Sequence, residues 1–124
     1  MNLFISCIFI GLGGAAGAIL RYLFGLLPFR NPSGFPLTTL AINVIGAFII
    51  GLVVALAQKN PLLSPNLILF LKVGVCGGFT TFSTFSLETF KLLESGNPWI
   101  AISYIASSVV LCVLAVYNAL KLAS

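Results

Sequence analysis

Histidine and aspartate are absent from this chain, and its only carboxylate side chains are Glu88 and Glu94. General acid–base catalysis draws mostly on His, Asp and Glu, and no Walker-type phosphate loop is present, so catalysis has few candidates. Cysteine is scarce as well. Cys7, Cys76 and Cys112 lie in apolar stretches without CxxC spacing. Such an odd, membrane-buried set reads as small apolar fillers rather than disulfides or metal ligands. Charge is the largest deficit: 6% of residues are charged and 60% are hydrophobic, against about 25% charged in soluble domains. The sequence is that of an all-α integral membrane protein.

What is present is four apolar stretches in a single domain covering residues 1–124, with spans at about 3–27, 37–57, 67–90 and 99–120. Each meets the requirement of roughly 20 residues for a helix that crosses a bilayer. The intervals "PFRNPSGFP", "QKNPLLSPN" and "ESGNP" carry turn residues. "GLGGAAGA" in the first stretch resembles a signal-peptide cleavage region. No Lys or Arg precedes it, however, and the apolar run outlasts a typical signal, so a retained helix is expected. No soluble domain, repeat or low-complexity tail is apparent.

The net charge of +4 arises from six cations against two anions. No basic cluster suggests nucleic acid. With four spans, Lys59, Lys72 and Lys121 fall on one face, while Arg21, Arg30 and Lys91 fall on the other. Orientation follows the Lys/Arg bias of short loops, so a balanced chain has no strong reason to insert one way. One reading is a fixed topology set by other factors. The other is dual topology, with two opposed copies in an antiparallel homodimer whose two-fold axis lies in the membrane plane.

Lys72 and Glu88 bracket the third span about 24 Å apart along a helix, which puts Thr80 near the midplane. Here "GGFTTFSTF" (77–85) combines two weak helix formers with a row of hydroxyls. Non-helical backbone at that depth is tolerated only against protein or a water-filled cavity. The third helix is therefore expected to break there, facing the dimer centre. A break offers carbonyl ends to a cation and N–H ends to an anion, and carbonyls near Gly77 and Thr80 could converge on a sodium-like ion. Equally, Gly77 and Gly78 could serve only close helix packing.

Phe82 and Phe85 share a helix face. Ring edges are positive and can stabilise a small dehydrated anion, although helical spacing of two Phe also suits plain packing. Asn43 falls at a similar depth, about 6 Å from the midplane, and carries two amide donors. Tyr104 and Ser108 reach the same depth on the fourth span, with Cys112 one turn further. Glu88 and Glu94 are placed at or beyond the end of the third span, too shallow for a proton-coupled exporter of the small multidrug type. A structural subunit would explain the glycines but not the Phe/Thr/Asn grouping.

"GVCGGFTTFSTFSLE" (74–88), "GGAAGAILRY" (13–22) and "LTTLAINVIGAFIIG" (37–51) resemble the Fluc, or CrcB, family of fluoride channels. The resemblance covers essentially the whole chain. It implies an antiparallel dual-topology homodimer in the cell's inner (plasma) membrane, exporting fluoride passively and holding a central sodium ion that is not transported. Carried over, Gly77 and Thr80 supply backbone carbonyls to sodium. Phe82 and Phe85 contact fluoride, and Asn43 is the amide donor beside them. Tyr104 and Ser108 begin a hydroxyl track, which Cys112 interrupts where a third hydroxyl would continue it. Arg21 matches an arginine near the end of the first span, with snorkelling to the interface and a role at the pore mouth both open. The partners implied are fluoride, a second copy and lipid.

Overall fold

The computed structural model describes residues 1–29 and 31–124. Arg30, one of the six cations, lies outside them. Within the described residues the chain is all-helical, and four helical spans are long and apolar enough to cross a membrane. α1 (Leu3–Gly25) is capped by Asn2, whose side chain accepts from the Phe4 N–H. α2 (Leu37–Lys59) follows Pro36. The third span, Pro65–Glu94, is composite. It opens as α3 (Pro65–Leu69), widens into a π-helical stretch (Phe70–Val75), tightens into α4 (Cys76–Phe79), and resumes as α5 (Phe82–Glu94). α6 (Pro98–Ala123) starts with Pro at its first turn, where a missing N–H costs nothing.

The α5–α6 turn shows why the chain reverses there. Gly96 adopts φ +79°, its N–H donates to Leu93 O, and the Asn97 N–H donates to Leu92 O. This paired arrangement closes the helix end through a left-handed residue that glycine tolerates best.

Two seams hold the spans together. α2 lies along α6, and α1 lies along the π stretch and α4. The second seam is built on small residues. A Cβ on Gly13 would collide with the Phe70 carbonyl, and one on Gly17 with the Val75 carbonyl. On the opposing side, a Cβ on Gly74 would stand 2.7 Å from the Gly13 Cα. Backbone approach this close is how helices associate in lipid, where apolar side chains gain little by leaving the tails for each other. Ser6, buried in the same seam, donates to the Asn66 side chain at 3.0 Å.

The interior is thin. Tyr104 is the largest side chain that is fully buried, whereas Phe4, Leu12, Phe82, Trp99 and many other large apolar residues face outward.

Candidate functional site

The helical run of the third span is interrupted at two residues. Thr80 and Thr81 are extended, with φ/ψ of −78°/160° and −153°/113°. Their side chains finish both helix ends. Thr80 Oγ1 donates to Cys76 O at 2.8 Å, beside the Thr80 N–H, which donates to the same carbonyl at 3.0 Å. Thr81 is the N-cap of α5: its Oγ1 accepts from the Thr84 N–H at 3.1 Å, the standard role of a hydroxyl at that position.

Asn43 holds the break from across the bundle. Its Oδ1 accepts from the Thr81 N–H at 2.8 Å, and its Nδ2 donates to Thr81 O at 3.1 Å. A carboxamide presents a donor and an acceptor side by side, so it can satisfy an adjacent backbone C=O and N–H together. One Nδ2 hydrogen remains for another acceptor. Because the Thr81 N–H is committed to Asn43, the Gly77 carbonyl loses its helical donor.

Beside the break lies a cavity of about 470 Å³. Asn43, Gly77, Thr80, Phe82, Phe85 and Ser108 all line it, as do Cys76 and Cys112. The Phe82 and Phe85 ring centroids are 5.4 Å apart and tilted by 43°. Ser108 is only 8% exposed, and its Oγ has no hydrogen-bond partner. A buried hydroxyl without a partner is costly and calls for an explanation. Among the described residues, Lys72 is the one charged side chain on the lining.

With that geometry in hand, comparison with known proteins is specific. Residues 8–120 match the family model described as CrcB-like protein, Camphor Resistance (CrcB). The chain belongs to the CrcB family. It is 50% identical over 102 residues to a protein of Geobacter sulfurreducens, covering 82% of each chain. It is 46% identical over 112 residues to one of Leptospira interrogans serovar copenhageni, covering 89% of this chain and 87% of the relative. A relative from Azobacteroides pseudotrichonymphae is 44% identical over 102 residues, covering 82% of each chain. All three are named fluoride-specific ion channel FluC. The family is one of channels, not enzymes.

Within this CrcB chain, two site residues stand apart from the cavity. Tyr104 is fully buried and does not line it. Its ring packs on Phe85 at 5.0 Å, and its hydroxyl donates to Glu88 Oε2 at 2.7 Å. Arg21, two turns from Gly13 along α1, is not on the described cavity lining. Its Nη1 approaches the Thr80 carbonyl at 3.4 Å.

Glu88 belongs to a side-chain network that its place near the end of the third span does not reveal. It lies inside α5, half-buried, and its Oε1 accepts from Thr39 Oγ1 at 2.7 Å while Oε2 accepts from Tyr104. Thr39 on α2 and Tyr104 on α6 supply the donors that hold the carboxyl. Thr39, 6% exposed, was missed altogether, although it sits one turn before Asn43 and so shares its face. Thr81 was read only as part of the polar run. Among the described residues no group of three or more His, Cys, Asp or Glu could hold a metal ion, so a bound cation would depend on backbone oxygens or on fewer side chains.

Proposed function

We propose that this chain is a passive fluoride channel. The observation that carries the reading is the cavity beside the break, lined by Asn43, Phe82, Phe85 and Ser108, with the Ser108 hydroxyl enclosed and unpartnered in its wall. Stripping a small anion of water costs on the order of 20 kcal/mol by Born arithmetic. Hydroxyl and amide donors, with positive ring edges, offer partial replacement without a fixed charge that would trap the ion. The relatives named as fluoride-specific channels support fluoride as that anion.

Hydrogen fluoride crosses bilayers as the neutral acid and dissociates in a less acidic cytoplasm, where the anion accumulates. An inside-negative potential drives the anion outward by about 2.3 kcal/mol per 100 mV. A channel in the plasma membrane therefore lowers cytoplasmic fluoride with no fuel.

The reading includes an antiparallel pair of copies and a resident sodium ion near the midplane break. Support comes from the balanced Lys/Arg count and from Gly77, which faces outward with open space around it. The donor chemistry fits: Gly77 O has lost its helical partner, and Thr80 O keeps a second lone pair beside the long contact from Arg21. Sodium held there would neutralise converging carbonyl ends.

A proton-coupled exporter has one observation in its favour, the half-buried Glu88 carboxyl on Tyr104 and Thr39. Liposomes containing only the purified chain separate the two. A channel gives electrogenic fluoride efflux with no proton gradient, excludes chloride, and loses activity when sodium is exhaustively replaced by a bulky organic cation. Efflux that requires a proton gradient would establish the exporter instead.

A further inference from the structure

Asn43 is not the only residue of α2 that meets the break. Gly46, three positions on and therefore on the same helix face, is buried and lines the same cavity. A Cβ built on Gly46 would collide with the Thr80 methyl group and stand 3.4 Å from Phe79 Cδ1. Gly46 thus leaves a hollow in the surface of α2, and the Thr80 methyl occupies it.

The groups around that contact have little freedom to give way. Thr80 Oγ1 and the Thr80 N–H both donate to Cys76 O, at 2.8 and 3.0 Å. Side chains occupy discrete staggered rotamers, so turning the methyl aside carries Oγ1 away from that carbonyl. Phe79 is buried and stands edge-on to Phe24. Thr81 is held from α2 by Asn43. A methyl group at position 46 is therefore accommodated by displacing the Thr80–Thr81 backbone or by breaking the Thr80 hydrogen bond. A helix glycine with open space around it behaves in the opposite sense, because alanine has the higher helix propensity.

We propose that Gly46 is a positioning residue of the ion path: its missing side chain seats the Thr80 methyl, and this seat fixes where the broken segment stands against the cavity. Asn43, one turn earlier, clamps the next residue, so α2 holds the break at two consecutive positions. The inference rests on the fluoride reading for what passes through the cavity and not for the seat itself. α5 begins at Phe82, two residues after Thr80. A shift of the break therefore carries the first turn of α5 with it, and both Phe82 and Phe85 line the cavity from there.

The test is a double-mutant cycle on the full-length purified chain in liposomes. Thr80→Ser deletes the seated methyl and keeps a hydroxyl for Cys76 O. Two quantities are read: fluoride efflux per folded chain, and amide hydrogen exchange across residues 77–85. Gly46→Ala should slow efflux on the order of tenfold in the wild-type background and by less than about twofold in the Thr80→Ser background, the signature of coupled neighbours. Exchange across 77–85 should rise in Gly46→Ala and fall back in the double variant. Gly51→Ala supplies the contrast. Gly51 is also buried on α2, and a Cβ there would stand 2.7 Å from Ala119 Cβ, but it does not line the cavity. Its substitution should lower thermal stability with efflux per folded chain unchanged and no coupling to Thr80→Ser. An equal cost of Gly46→Ala in both backgrounds would overturn the seat. If Gly46→Ala alone fails to fold, the double variant decides: recovery upholds the seat, and a second failure overturns it. Coupled exchange with unaltered efflux in a conducting chain would reduce Gly46 to packing. Coupled exchange in a chain that conducts no fluoride would uphold the seat and sink the channel.

Discussion

Asn43 shows how much one side chain can decide. Its amide spans the Thr81 N–H and C=O at 2.8 and 3.1 Å, so it is a clamp on the break, and the donor role proposed for it has only the remaining Nδ2 hydrogen to use. Asn43→Ala leaves both backbone groups without that partner, at a cost of about 1–3 kcal/mol. Reduced thermal stability in detergent together with lost fluoride flux is the expected result; lost flux at unchanged stability would mean the clamp is dispensable. The two phenylalanines differ in a way their spacing hides. Phe82 is 79% exposed, whereas Phe85 packs on Tyr104. Phe82→Ile should lower fluoride flux and cost less stability, because the ring is largely exposed and gives up just its pairing with Phe85. Phe85→Ile should lower both, since aromatic pairs contribute about 0.5–1.5 kcal/mol beyond burial. Wild-type flux in both variants would reduce the rings to packing. At this scale the sequence exposed the polar and aromatic candidates but not their partners. Asn43 and Thr81 are 38 residues apart, as are Thr39 and Glu88 by 49, and no local pattern encodes such pairs.

At the scale of elements, the glycines of α1 divide into two groups that composition cannot distinguish. Gly13 and Gly17 face the third span with no room for a methyl group, whereas Gly11 has nothing within 4 Å. Gly17→Ala should destabilise by about 1–3 kcal/mol, the usual cost of overpacking. Gly11→Ala should be neutral or add up to about 1 kcal/mol through helix propensity. Thermal unfolding of both variants in one detergent checks the contrast, and equal effects would refute the seam. The four spans were legible because a run of apolar residues is the strongest signal a membrane chain emits. The two glycines and the hydroxyl row pointed to irregular backbone around Thr80. The π-helical stretch at Phe70–Val75 was not legible, because apolar residues there suit an α-helix equally well and only packing against α1 distinguishes the two.

For the molecule as a whole, orientation is set by very few charges. With three cations assigned to each face, a Cys7→Ser, Ser124→Cys chain should be labelled from each side of the membrane in about half of its copies. Labelling from one side only would rule out the antiparallel pair. Adding two or three arginines to the 60–64 turn should fix one orientation and silence flux until an oppositely oriented copy is supplied. The thin interior has a consequence of another kind. Among the described residues few large side chains are enclosed by the chain itself, and Tyr104 alone among them is fully so. Much of the contact that would make a core in water is left for the chain's surroundings, acyl tails above all, to provide. Any species that binds the folded form shifts its apparent stability by mass action. A melting temperature measured on this protein is then a joint property of chain and host, moving with detergent tail length, lipid supply and protein concentration while every intramolecular bond stays the same.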